Sequence, residues 1–290
     1  MVTLASCATP AVMLAQQGRS TTELLGSVRL GATGTGHCLR DGRAQPGLAD
    51  PTKGATLPVN NHHRIIISDM DRTLVDFTSL YLGAYRVAVR EAYGIDGQPT
   101  PRRHAGYTQA AVVRMICKEH GLDDQTTEAG VDKALQALSA TVISLLEEDL
   151  RYGILPGVEQ VFDALQRQGH ALVLVTGTIS PIAQAIMARS GLDRFFPARA
   201  CGDEVVSRVE LLQLAMRRAH DTYDIDPDWN DAVVMGDAVT DIEAGKAVGA
   251  RVVAVATGHH SVDELDGLGA DAVLPDLSDC RAALAAILGE

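Results

Sequence analysis

From Arg64 onward the chain alternates between two hydrophobic rhythms. The runs "RIIIS" (64–68), "ALVLV" (171–175), "DAVVM" (231–235) and "RVVAV" (251–255) are short, apolar and rich in β-branched residues. Such uninterrupted runs predict strands of a parallel sheet buried on both faces. "DAVL" (271–274) predicts a further strand, and another is expected near 197–200. Between these runs the apolar positions follow a helical period. "GVEQVFDALQRQG" (157–169) sets Val158, Val161, Phe162 and Leu165 on one face and closes at Gly169. "SPIAQAIMARSG" (180–191) predicts a helix with Ser180 as N-cap and Pro181 at the first helical position. "RVELLQLAMRRAH" (208–220) and "TDIEAGKAVG" (240–249) predict two more. Strand–helix alternation of this kind predicts an α/β fold, a doubly wound and mainly parallel sheet.

One interval breaks the rhythm. After the first strand the next does not arrive until about residue 171, although a parallel crossover needs only a dozen or more residues. Residues 78–150 fill the interval with helical runs near 78–93, 107–120 and 129–150. An insertion just past the first strand's carboxyl end is placed over the crevice where open α/β sheets bind ligands, which predicts a helical cap. The expected division is therefore an α/β core of residues 64–77 and 151–290 with a cap of residues 78–150.

Residues 1–63 follow neither rhythm. They are rich in Gly, Ser, Thr and Pro from residue 18 onward, which predicts a largely irregular extension, with a short helix over 4–15. "LASC" (4–7) imitates a lipoprotein cleavage box, but three preceding residues cannot supply a basic and an apolar region, so export is not expected. Cys7, Cys38, Cys117, Cys201 and Cys280 are scattered, odd in number and without CxxC spacing, as expected of unpaired thiols in a reducing cytoplasm. No segment has the roughly 18 continuous apolar residues of a membrane helix. The formal charge of −12 argues against a nucleic-acid partner, which needs a positive field.

The chemistry begins at "IIISDMDRTLVD" (65–76), which sets Asp69 and Asp71 at the end of the first strand. Residues two apart in an extended segment point the same way, so both carboxylates face the crevice. Like charges so close raise a pKa unless a cation intervenes, and Mg²⁺ is the hard, oxygen-seeking candidate. A second acidic pair, Asp237 and Asp241, follows another strand in "VVMGDAVTDIEAG", with Gly236 allowing a tight turn. Asp241 in a helix's first turn is also an ordinary capping feature, whereas Asp237 at a strand end is not explained that way. Thr176 and Gly177 end the strand "LVLVTGT" just before a helix N-terminus, where a hydroxyl and backbone N–H groups suit a phosphate. Arg208 opens a helix after the third strand and supplies the cation that carboxylates and phosphate call for.

The order D-x-D-x-T-L, hydrophobic run plus Thr, basic residue, G-D-x-x-x-D resembles the haloacid dehalogenase superfamily over roughly residues 64–289. "YGILPGVEQVFDALQRQGHALVLVTGT" and "MGDAVTDIEAGKAVGA" resemble its phosphoglycolate-phosphatase-like branch, and residues 78–150 its C1-type cap. The resemblance implies a Mg²⁺-dependent phosphatase acting on a small phosphorylated metabolite. Asp69 would be the nucleophile and Asp71 the general acid and base. Thr176, Gly177 and Arg208 would hold the phosphoryl group. Asp69, the Asp71 carbonyl and Asp237 would bind the metal, with Asp241 in direct or indirect support, and Thr73 would fix the loop. Two positions depart from the family pattern: Arg208 stands where Lys is more common, and Arg72 where Gly is common.

Three other readings are consistent with these motifs. A phosphomutase of the β-phosphoglucomutase kind shares all of them. A receiver-type signalling domain shares the acids, the Thr and the basic residue but carries no cap. A non-catalytic regulatory relative is disfavoured because every acidic position is filled. Within the cap, "PRRH" (Arg102, Arg103, His104) is either a site for a second anionic group or a solvated loop.

Overall fold

A computed structural model of the chain describes residues 63–290. The helix expected over 4–15 and nearly all of the N-terminal extension lie outside the described residues. Among those described, β1 (Ile65–Ser68), β2 (Ala171–Val175), β3 (Ala198–Ala200), β4 (Ala232–Gly236), β5 (Arg251–Val255) and β6 (Ala272–Leu274) form one sheet in the order β3-β2-β1-β4-β5-β6. Every pairing is parallel. The chain winds outward from β1 to β3, returns to lay β4 on the other side of β1, and winds outward again to β6. That reversal opens a crevice at the carboxyl ends of β1 and β4, where ligands of such sheets bind.

The strands are buried on both faces because successive side chains alternate. Ile66, Leu172, Leu174, Val233 and Met235 join the core on one face. There they meet α5 (Val158–Arg167), α6 (Ser180–Ser190) and α10 (Cys280–Leu288) through Phe162, Ile182 and Ile287. Ile65, Ile67, Val173 and Val234 join the core on the other, with Leu211, Leu212 and Met216 of α7 (Arg208–Tyr223). Outside β5, α8 (Val239–Val248) and α9 (Val262–Asp266) add Ile242 and Leu265 against Val252 and Ala254. Phe162 is fully buried, so truncating it to Ala removes about 3–5 kcal/mol.

The interval between β1 and β2 contains α1 (Thr78–Tyr93), α2 (Pro101–His104), α3 (Gln109–Glu119) and α4 (Asp124–Leu145). Val89, Val113, Ile116 and Leu138 pack among them, in a cluster continuous with one face of the sheet. The segment between α2 and α3 rests on the core loops. Gln109 N donates to Gly177 O at 2.9 Å, and Ile179 N donates to Gln109 Oε1 at 3.1 Å. Gly106 has φ 76°, and a Cβ there would lie 1.8 Å from Thr240 Oγ1, so only glycine fits this approach.

Several boundaries differ from the sequence expectation. The helix expected over 129–150 is α4, which starts earlier because Asp123 caps it, its carboxylate accepting from Thr126 N at 2.7 Å. It ends before "EEDL", where Leu150 is buried and its N–H donates to Arg189 O at 3.1 Å. Ser180 is not the N-cap of α6; Ile179 is, and the Ser180 hydroxyl donates to Asp203 Oδ1 at 2.7 Å. Gly236 serves not a turn but a close approach, since a Cβ there would lie 2.2 Å from Asp241 Oδ2.

Candidate active site

Asp69 directly follows β1, and its N–H extends the pairing with β4 by donating to Met235 O at 2.8 Å. Asp237 directly follows β4, and Asp241 sits one turn on, in α8. Oxygens of Asp69, Asp237 and Asp241 all lie within 4.8 Å of one another, on residues 7%, 5% and 1% exposed. The Asp241 Oδ2 accepts from Ala238 N at 3.1 Å, so this residue does cap α8 as well as face the cluster.

One cation stands among these acids. Arg208 is the first residue of α7, where the helix dipole disfavours positive charge. Its Nη2 donates to Asp69 Oδ1 and lies 2.5 Å from Asp241 Oδ1, both pairs deeply buried. Burial works against its charge, but Asp241 and Asp69 outweigh burial and raise its pKa. Among the described residues, Arg208 Nε and Nη1 are buried without a hydrogen-bond partner.

A single guanidinium does not balance three carboxylates. Burial pushes Asp69 up to about 7, against the pull of Arg208, with Asp241 and Asp71 adding to the rise. Burial also raises Asp237 strongly, helped by Asp69 and Asp241. Its Oδ1 accepts a long 3.5 Å bond from the Thr73 hydroxyl. Buried carboxylates with spare lone pairs are an oxygen-only donor set that fits a hard divalent cation such as magnesium. Gly258 keeps the space clear, because a Cβ there would lie 1.8 Å from Asp237 Oδ2.

Asp71 lies apart from this triplet. Its Oδ2 accepts from Thr178 Oγ1 at 2.8 Å and its Oδ1 from the Tyr81 hydroxyl at 3.2 Å. Burial raises its pKa, and the two donors oppose that rise by favouring the carboxylate. Tyr81 comes from α1, so the inserted helices reach the proposed acid–base group.

The cleft holds about 120 Å³ and is lined by Asp69, Asp71, Arg72, His104, Gly177 and Asp237 among the residues singled out in the sequence. Arg208, Asp241 and Thr176 sit behind that wall rather than on it. Thr176 is fully buried and its Oγ1 accepts from Thr178 N at 3.0 Å. The N-terminal N–H groups of α6 are not the open phosphate cradle expected from "TGT". Ile179 N and Ser180 N already donate to Gln109 Oε1 and Asp203 Oδ1. Of the "PRRH" run, His104 lines the cleft while Arg102 and Arg103 pair with Glu264 and Glu119. The two arginines are thus surface ion pairs.

Residues 63–249 match the haloacid dehalogenase-like hydrolase family. The chain belongs to that family. Over 131 residues it is 31% identical to the plasmid phosphoglycolate phosphatase of Cupriavidus necator, covering 45% of this chain and 55% of that enzyme. The chain thus spans about half the length of this relative. Over 233 residues it is 25% identical to a Dickeya dadantii protein named "Probable phosphatase IndB", covering 77% of this chain and 94% of that one. A crystal structure of a hydrolase from Pseudomonas syringae matches with a TM-score of 0.59 and 21% identity, covering 77% of this chain and 98% of that one. At that identity the likeness concerns the fold alone.

Within the family frame, sequence reasoning missed two partners of Asp71. Thr178 was in view as the second Thr of "TGT", three residues past the end of β2. Tyr81 carried no signal, because only the path of α1 over the crevice brings its hydroxyl to Asp71. Among the described residues no helix is long and apolar enough to cross a membrane.

Proposed function

We propose that this chain is a Mg²⁺-dependent phosphatase that hydrolyses a small phosphorylated metabolite through an aspartyl-phosphate on Asp69. The observation that carries this reading is the buried triplet of Asp69 and Asp237, at the ends of adjacent strands, and Asp241, in the first turn of α8, short of positive charge even with Arg208 present. Asp69, Asp237 and the Asp71 carbonyl would hold the magnesium, with Asp241 in support. Bound there, the cation supplies the positive charge that lets an anionic phosphoryl group approach an anionic nucleophile.

The protein's own residues divide the work. An oxygen of Asp69 attacks phosphorus, and the bond to the leaving oxygen breaks as the Asp69–phosphorus bond forms. Asp71 protonates that oxygen, so the product leaves as a neutral alcohol. Asp71, now a carboxylate held by Tyr81 and Thr178, takes a proton from water. The resulting hydroxide attacks phosphorus, phosphate departs and Asp69 is free again. Gly177 lines the cleft and lets the backbone of Tyr107 pack against it, since a Cβ there would lie 2.3 Å from Tyr107 O; Thr176 orders the loop beneath it, and Arg208 offsets charge on Asp69. The insertion of residues 78–150 acts as the cap that closes over a metabolite and excludes water.

Phosphatase-named relatives and the size of the cleft favour a small ester over a phosphoprotein. The test is a panel of phosphorylated metabolites incubated with Mg²⁺, scored for free phosphate and for rearranged sugar phosphate. Free phosphate from at least one ester supports the reading. Rearrangement without phosphate release would replace it by a phosphomutase.

A further inference from the structure

Besides its acidic residues, the cleft is lined by Tyr81, Leu82, Tyr85, Pro99, Pro101 and Val112, among others. Among the described residues lining the cleft, Arg72 is the single arginine or lysine. Its backbone has φ 62°, the left-handed region that glycine enters freely and other residues resist. A long charged side chain is therefore kept where backbone preference opposes it. The side chain is 23% exposed, its Nε donates to Thr78 Oγ1 at 3.0 Å, and Nη2 is a loose 3.9 Å from Asp76 Oδ2. A guanidinium has five N–H donors in a planar fork, so among the described residues these contacts leave most of it unused. Asp71 next door is already served by Thr178 and Tyr81 and does not call for Arg72 as its partner.

We propose that Arg72 is the specificity-determining residue of this cleft, receiving a second anionic group carried by the leaving alcohol while the phosphoryl group lies against Asp69. A carboxylate or a second phosphate both suit the fork, which grips planar or tetrahedral oxyanions through paired N–H groups. This role rests on the phosphatase reading above. It also supplies from the core side the cation that Arg102 and Arg103 do not bring to the cleft.

The test compares kcat/KM on three short esters of equal length: a phosphorylated hydroxyacid, a diol bisphosphate and a phosphorylated neutral alcohol. Wild-type protein is set against Arg72→Met, Arg72→Lys and Arg72→Gly, each checked for its melting temperature. The expected result is that wild type prefers one charged ester and that Arg72→Met lowers the charged-to-neutral ratio roughly tenfold or more, mainly through KM. Arg72→Lys should recover part of the ratio, as a point charge without the fork. Arg72→Gly should fold at least as stably, since it relieves the positive φ, and lose the same preference. Which charged ester wild type prefers separates a carboxylate from a phosphate. Equal loss on all three esters, or no loss, would overturn the role of Arg72 while leaving the phosphatase reading in place. Release from none of the three overturns the role of Arg72, while the wider metabolite panel decides the phosphatase reading.

Discussion

Arg208 Nη2 lies 2.5 Å from Asp241 Oδ1, and the same nitrogen donates to Asp69, so one guanidinium joins the end of β1 to the first turn of α8 behind the cleft. Both members of the Arg208–Asp241 pair are nearly inaccessible, at 8% and 2% side-chain exposure. Deleting one member of a buried pair leaves the other's charge without a partner. Arg208→Met should therefore lower stability by about 3–5 kcal/mol, and adding Asp241→Asn should recover part of that loss. Urea titration of the single and double variants measures it, and an unchanged midpoint in Arg208→Met would show the pair to be unimportant.

Metal-free protein should lose stability on going from mildly acidic to neutral pH. Folding raises Asp69 from 3.8 to about 7, and burial raises Asp237 in the same direction. Between roughly 4 and 7 the folded chain then binds more protons than the unfolded one, so these groups make stability fall as pH rises through that window. A cation among the carboxylates removes the penalty and binds best when they are ionised. Mg²⁺ should therefore raise the melting temperature more at pH 7 than at pH 5. Melting curves at the two pH values decide this, and an equal or reversed effect would count against the triplet as the binding site.

Gly258→Ala tests the same space sterically. The added Cβ would meet Asp237 Oδ2 at 1.8 Å, so the carboxylate must move. The variant should remain folded yet lose most of the Mg²⁺-induced rise in melting temperature. A full response to the cation would show that Asp237 can shift without consequence.

Asp71 is held by two donors, and each favours its ionised form. Thr178→Val should raise the Asp71 pKa, moving the limb of the pH–rate profile that reports it to higher pH. Loss of orientation should cost about tenfold in kcat, short of the roughly 10²–10⁴-fold expected when Asp71 itself becomes Asn. A profile that keeps its shape in Thr178→Val would separate Thr178 from proton transfer.

Much of this was legible in the sequence because the signals were local. The run Ile65–Ser68 followed by Asp69 and Asp71 names a buried strand and what stands at its end, and "MGDAVTD" does the same for β4. Parallel pairing then brings Asp69 and Asp237 together, since β1 and β4 are neighbours in register. What stayed hidden depends on contacts far apart in the chain. Arg102 pairs with Glu264 across 162 positions, so nothing near "PRRH" shows that its arginines are occupied. Tyr81 reaches Asp71 from α1, ten positions on, through a contact that no local pattern announces. Arg72 stood out as a departure from glycine, but its left-handed backbone and its place on the cleft wall needed coordinates.

The central claim is that a divalent cation held by Asp69 and Asp237 is what permits Asp69 to attack a phosphoester. The most direct measurement is phosphate release from a generic phosphomonoester by wild type and Asp69→Asn, each with Mg²⁺, after chelation, and after Mg²⁺ is restored. Wild type should release phosphate only while the cation is present and recover on its return, and the folded Asp69→Asn protein should be at least about 10³-fold slower throughout. Undiminished release by chelated wild type, or normal turnover by Asp69→Asn, would contradict the account.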